Sequence, residues 1–380
     1  MSTPLLALRE QIEHTEEKVL APYACFAGKS KGRVHKEDPD VQRTCFARDR
    51  DRIIHCSAFR RLKGKTQVFV AHHGDHFRNR LTHTMEVAQL ARDFSRNLRI
   101  NEDLAEAIAL AHDLGHTPFG HAGQQAMREL LHRFGYFFEH NQQSRRIVEV
   151  LEQRCPDYRG INLSWEVCDG LKKHRKADYE KAENLSVHGS LEAQIVDIAD
   201  QIAYQNHDID DGLRAGIFDV EDLHHLEIWK RASARVPRYE SDKLWISSVI
   251  SSLVKIMAFD LLQETEKRLQ NLSPKTTEDV RNTKNPVAAF SREIEAENDS
   301  LRHFLYSRFY HQSEVTSQSE QGQQTIKQIF FFLLKNPHLI PKSLQFLLEQ
   351  GEKTEIVIKD FIAGMTDDYA ITFAKERINS

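Results

Sequence analysis

The chain has 380 residues, 40% of them hydrophobic and 28% charged, with a formal net charge of −4. That is enough apolar material for a sizeable core, and the scarcity of Gly (16) and Pro (10) leaves few turn signals, as expected where long helices dominate. Five cysteines, an odd number with no CxxC pair, argue against a disulfide frame or a zinc knuckle and predict reduced thiols in a cytoplasmic protein.

In chain order, the opening "MSTPLLALREQIEHTEEK" has no basic segment leading into an apolar one, so no signal peptide is expected. Residues 27–40, "AGKSKGRVHKEDPD", read as flexible. Their AGKS is a false lead to a phosphate-binding loop, because GxxxxGK[ST] would need Gly where Tyr23 stands. Residues 41–100 hold thirteen Lys or Arg against five acids, a local excess of eight positive charges. Such a patch in a mildly acidic chain suggests a polyanionic ligand, either a phosphate-rich small molecule or a nucleic acid; a solvated helix face is the plain alternative. A short hairpin is the sole strand-like expectation, around "TQVFV" at 66–70.

Helical spacing follows. In "RLTHTMEVAQLARDFSRNL", Leu81, Met85, Ala88, Ala91 and Leu98 predict one buried stripe. "NEDLAEAIALAHDLGH" predicts a helix capped by Asn101, with acids in its first turn, stopping at Gly115 before the Thr117–Pro118 turn. "FEHNQQSRRIVEVLEQ" and "GSLEAQIVDIADQIAYQNHDIDDGL" are two further amphipathic runs. Residues 271–286 and 311–324 read as flexible, the second equally as a loop running into a helix. The densest apolar run, "IFFFLL" at 329–334, is of core length and no membrane span is expected. Beyond about residue 220 the chain reads helical without a cluster of chemically distinctive residues.

The chemistry concentrates in "LAHDLGHTPFGHAGQQ" (110–125), with His112, Asp113, His116 and His121 close together. A metal needs ligands converging from different elements. The adjacent His112 and Asp113 at a helix end can supply two, His83 in the preceding helix a third, and Asp200 a fourth. Two imidazoles and two carboxylates suit one divalent ion, such as Mn, Mg, Fe, Co, Ni or Zn, and discriminate poorly among them. Arg80, one turn before His83, is placed to reach a phosphate beside the metal. Arg60, Arg61, Lys63 and Lys65 offer further positive charge. Asp200, Tyr204 and Asp208 fall at i, i+4 and i+8, on one helix face.

The ordered segments "DRDRIIHCSAFRRLKGKTQVF", "RNRLTHTMEVA", "AHDLGHTPFGHAG", "FEHNQQSRR" and "ADQIAYQNHDIDDGL" closely resemble the deoxyguanosine triphosphate triphosphohydrolase family of HD-domain phosphohydrolases. The resemblance spans roughly residues 20–215. It implies an all-α fold, with an HD-type helical core over 76–215 and a C-terminal helical extension over 216–380 within one integral domain. It implies a metal held by His83, His112, Asp113 and Asp200, and water attack on the α-phosphorus of a deoxynucleoside triphosphate. His121 and His140 match the family's catalytic and phosphate-contacting histidines, while a bracing and a functional role are both open for His116. Gln67, Tyr204 and Asp208 match its deoxyribose contacts; for His207 a bracing role is the simpler reading. Members commonly form homo-oligomers, sometimes activated by a second nucleotide.

One position departs from the pattern. The family usually has an acid three residues after the histidine matching His121, and here that residue is Gln124. An amide can accept a hydrogen bond but cannot carry charge or shuttle a proton, which argues for slower turnover unless Glu129 or Glu139 takes over. A nucleotide-binding regulatory protein with a weakened site, or an HD hydrolase of another nucleotide, are the alternatives.

Overall fold

The computed structural model describes residues 8–67, 78–172, 188–308 and 313–378. Among these the chain is all-α, with isolated bridges such as Thr66–Asn79 in place of strands. The remainder of the expected 66–70 hairpin lies outside the described residues. The helices are α1 (Arg9–Val19), α2 (Cys45–Ile54), α3 (Ser57–Arg61), α4 (Arg80–Leu98), α5 (Glu102–Ala111), α6 (Gly120–His132), α7 (His140–Arg146), α8 (Trp165–Gly170) and α9 (Leu191–Arg214). They continue as α10 (Val220–Leu223), α11 (Glu227–Ser233), α12 (Asp242–Leu272), α13 (Thr277–Arg281), α14 (Arg292–Arg308), α15 (Ser313–Lys335), α16 (Lys342–Glu349), α17 (Thr354–Ala363) and α18 (Asp367–Arg377).

Helix α5 is the centre. Asn101 caps it, its side chain accepting from the Leu104 amide, and seven of its positions from Leu104 to Ala111 are buried. A helix apolar nearly all round must be enclosed, and α2, α4 and α9 pack against it. Four alanines let those neighbours approach closely. The buried face of α4 runs His83, Thr84, Val87, Ala88, Ala91, Phe94 and Leu98. It is rotated from the sequence-based stripe, because Met85 points outward with 53% of its surface exposed. His83 takes the inward position there.

The C-terminal helices build a second apolar cluster. Met127, Leu130 and Leu131 of α6 pack with Ile326, Ile329, Phe330 and Leu333 of α15 and with Val357, Ile358 and Ile362 of α17. Most of the expected flexible stretch 311–324 is therefore the first half of α15. Within 271–286, α12 runs on to Leu272 and the short α13 follows. The 31-residue α12 is long and apolar enough by composition to cross a membrane, with 39% of its most apolar window buried. Its inward residues, among them Trp245, Val249, Leu253 and Leu261, belong to the main core.

The basic excess of residues 41–100 is largely met by acids from elsewhere. Arg52 pairs with Glu37, Arg50 with Asp103 at 2.9 Å, Arg78 with Asp210 at 2.8 Å and Arg96 with Glu102 at 2.7 Å. Its charges are mostly structural partners rather than one open patch.

Candidate metal centre

Helix α5 ends at Ala111, with His112 as its C-terminal cap, and the chain turns through Asp113 to Gly115. That turn lets two neighbours in sequence face one cavity. Gly115 is needed here for closeness rather than for a left-handed cap. A Cβ on it would lie 2.2 Å from both the His140 carbonyl oxygen and the Ser144 amide nitrogen, so α7 lies directly against the turn. Ser144 fastens the contact, its hydroxyl donating to the His112 carbonyl at 2.7 Å and accepting from the Gly115 amide at 2.8 Å.

Donor atoms of His83, His112 and Asp113 lie within 4.8 Å of one another. Asp200 from α9 completes the group, its Oδ1 2.9 Å from His83 Nε2 and 3.6 Å from His112 Nε2. His112 Nδ1 lies 2.6 Å from the Ala109 carbonyl, so that nitrogen donates and Nε2 is turned to the cavity. There Nε2 is buried without a hydrogen-bond partner among the described residues. Two imidazoles, two carboxylates and an orphaned inward nitrogen fit one divalent ion.

The charges oppose burial. Desolvation pushes the Asp113 carboxyl up, but the His112 and Arg80 charges and a hydrogen bond from His116 outweigh it and hold the group well below the usual carboxylate range. Asp200 is likewise held low by His112 and His83 against its burial. Burial would lower His112, yet Asp113 and Asp200 raise it to about 9. A proton on His112 and a divalent cation would therefore compete for the same place.

Arg80 is 2% exposed, and its Nη1 donates to Asp113 Oδ2 at 2.8 Å. Its Nε and Nη2 are buried without partners among the described residues, as is Gln67 Oε1. His116 Nε2 is 3.0 Å from Asp113 Oδ1, and its ring stacks on His140 at 3.9 Å. Burial and the adjacent Arg80 charge keep His116 well below its ordinary pKa, hence neutral. Asp113, His116 and His140 also lie close enough to hold an ion. The two rings are only 18° from parallel, so their in-plane lone pairs run side by side rather than converging, which suits bracing or proton handling better.

Gln124 Oε1 accepts from His140 Nδ1 at 2.8 Å. Glu129 and Glu139, the expected substitutes, are engaged by Lys327 at 2.8 Å and Arg128 at 2.6 Å. His121 stands exposed on the first turn of α6, after Phe119 and Gly120 with φ of 62° and 55°. Two successive left-handed residues, one of them not glycine, turn the chain sharply before His121. On α9, Tyr204 is half-buried and Asp208 fully buried. A narrow cleft lined by His112, His140, Asn141, Lys172, Asp197 and Asp200 opens beside the cluster.

Two supporting roles were not foreseen from the sequence. Lys65 is buried, donating to the carbonyls of His116 and Ala363. Burial and the Arg61 and Arg80 charges push its pKa down to about 7, so it braces the wall rather than offering charge to a ligand. Asp367, at the start of α18, accepts from the Thr66 amide at 3.0 Å and the Phe119 amide at 2.9 Å. It fixes the neighbours of Gln67 and His121 at once. No local spacing signals either contact.

Comparison with known proteins agrees with this geometry. The HD domain family matches residues 80–205 and the phosphohydrolase-associated domain family matches residues 288–376. A deoxyguanosinetriphosphate triphosphohydrolase-like protein of Geobacter sulfurreducens is 42% identical over 372 residues, covering 95% of this chain and 96% of its own length. Proteins of the same name from Bordetella pertussis and Ralstonia nicotianae are each 44% identical, over 368 and 365 residues. Each match covers 93% of this chain, and 94% and 92% of those proteins.

Proposed function

The chain belongs to the deoxyguanosinetriphosphate triphosphohydrolase-like family of HD-domain phosphohydrolases, and from that premise we propose that it hydrolyses deoxynucleoside triphosphates to deoxynucleoside and inorganic triphosphate. A water oxygen forms the new bond to the α-phosphorus, the bond to the 5′ oxygen breaks, and a proton from the water ends on that 5′ oxygen. The observation that carries the reading is the convergence of His83, His112, Asp113 and Asp200 beside the two unsatisfied donors of Arg80.

A divalent ion held by those four side chains would polarise a phosphoryl oxygen and orient the nucleophile. The remaining steps belong to side chains. Arg80 binds phosphate oxygens through Nε and Nη2 while Asp113 anchors its third nitrogen. His140, held at Nδ1 by Gln124, offers its other nitrogen for proton transfer, and His121 stands at the same rim. Gln67, Tyr204 and Asp208 supply polar groups for the sugar. The test is chromatography of products from metal-stripped protein re-supplied with Mn, Mg, Fe(II), Co or Zn, using the four dNTPs singly and mixed. Release of deoxynucleoside and intact triphosphate, lost in His112→Ala, is expected. Activity in the mixture alone would add an activating nucleotide.

Gln124 favours a second reading. A neutral amide where an acid would polarise the histidine suits a protein that binds dNTPs and turns them over slowly; dNTP binding without product in any combination would decide for it.

A further inference from the structure

Against His83 of the candidate metal centre lies a second pair of titratable groups that the proposed reaction does not use. His207 of α9 is 3% exposed, and its Nδ1 faces His83 Nδ1 at 3.4 Å, with the two rings edge-to-face. Its Nε2 contacts Glu86 Oε2, one turn after His83 on α4. Glu86 is held in turn by Arg78, whose Nε approaches its other oxygen at 3.4 Å. Arg78 is anchored by Asp210 at 2.8 Å and Asp211 at 3.2 Å.

We propose that Glu86 and His207 are positioning residues that fix the His83 tautomer for metal binding. The inference rests on the metal site proposed above. A carboxylate can only accept, so the proton of His207 sits on Nε2 and its Nδ1 carries a lone pair. Two facing ring nitrogens form a hydrogen bond only if one donates. His207 Nδ1 therefore accepts from His83 Nδ1–H, and His83 Nε2, 2.9 Å from Asp200 Oδ1 and 3.9 Å from Asp113 Oδ2, would present its lone pair to a divalent ion shared with those carboxylates. Without Glu86, His207 is free to carry its proton on Nδ1. His83 would then have to accept at Nδ1, and its own proton would move to Nε2, where the ion must bind. Metal-binding histidines generally need such a partner on the second nitrogen, and its loss typically costs about 10–100-fold in metal affinity. Here the partner is an imidazole backed by a carboxylate, rather than a carboxylate directly.

The test is Mn(II) binding to the metal-stripped full-length protein, followed by the electron paramagnetic resonance of free Mn(II), with the thermal midpoint of the metal-free protein measured alongside. His207→Leu removes the acceptor and should weaken binding about 10–100-fold. His207→Asn places an amide oxygen near the lost Nδ1 and should recover most of that affinity. Glu86→Ala, on a side chain that is 43% exposed, should weaken binding in the same direction but by less; it decides the matter if His207→Leu does not fold. Affinities within twofold of wild type in the leucine and alanine variants would overturn the proposal, even if the midpoints fall. So would His207→Asn binding as weakly as His207→Leu. Absence of saturable Mn(II) binding by the wild type would remove this inference together with the metal site. Tight binding without dNTP hydrolysis would remove only the proposed reaction.

Discussion

Arg80→Lys is the sharpest test of the phosphate role. The guanidinium is almost fully buried, with one nitrogen on Asp113 and two others without acceptors among the described residues. An unmade hydrogen bond at a buried donor costs about 1–3 kcal/mol, so the two donors hold about 2–6 kcal/mol that an arriving oxyanion would recover. Lysine keeps the charge and can still reach Asp113, but it cannot present two parallel donors. Losing about 2–4 kcal/mol of that interaction in the transition state lowers kcat/KM by about thirty- to a thousand-fold. The metal content, read by atomic emission, should stay at the wild-type level, because none of the four proposed ligands has changed. Triphosphate, as a product inhibitor, should weaken in parallel. The metal-free, ligand-free variant should melt no lower than wild type, since two orphaned donors have gone. A fully metal-loaded Arg80→Lys protein with kcat/KM within threefold of wild type would refute the phosphate assignment.

Three other outcomes follow from the same geometry. With its pKa raised to about 9, above the ordinary 6.5, His112 contributes stability that is complete below pH 6.5 and is lost as pH rises through 9. An ion must displace that proton, so Mn(II) affinity should climb about tenfold per pH unit below pH 9 and level off above it; an affinity unchanged between pH 7 and 9 would contradict this. Gln124→Glu turns the neutral acceptor on His140 into a charged one, and kcat for triphosphate release should rise about tenfold, at the low end of what one acid–base group supplies. Unchanged kcat would mean that His140 takes no part in the slow proton transfer. Gly115→Ala drives a methyl group to 2.2 Å from the His140 carbonyl and the Ser144 amide, and should destabilise by more than about 3 kcal/mol, seen as a lowered thermal midpoint together with loss of bound metal.

The candidate metal cluster was legible because its chemistry is local. A His-Asp pair just after an alanine-rich helix, with a histidine one helix earlier, has few structural uses, and His83, His112, Asp113 and Asp200 do converge. The face of α4 was legible only in its period. Counting apolar residues alone placed Met85 inside and had no means of knowing that His83 takes the inward position. Gly115 was recognisable as punctuation, but its reason is the backbone of α7 lying against it, which is a tertiary fact. Gln124 was singled out from the sequence, but its hydrogen bond to His140, 16 residues away and across a turn, was not. Lys65 had the composition of a phosphate ligand and proved to be a buried brace. Charge counts cannot separate those roles, because the acceptor it meets at Ala363 is 298 residues distant.

Those long-range contacts change what the C-terminal segment is for. Read along the chain, residues beyond about 220 carry no distinctive chemistry, and they could be taken as padding around a core that ends near 215. In space they support the wall beside the candidate metal centre. Asp367 holds the amides on either side of the gap between Gln67 and His121, and Lys65 ties the His116 carbonyl to the end of α17. A Cβ at Gly322 of α15 would fall 2.8 Å from the Phe119 side chain, so α15 lies tight against the left-handed turn that aims His121. Phe119 holds a positive φ at a cost of about 1–3 kcal/mol, and such strain persists only where surrounding contacts over-determine it. Those contacts come from α15 and α18. The proposed metal ligands thus come from α4, the turn after α5, and α9, while the conformation of the adjacent loop is set by helices more than a hundred residues further on. Loosening the C-terminal helices would leave the ion site formed and the wall beside it free to relax.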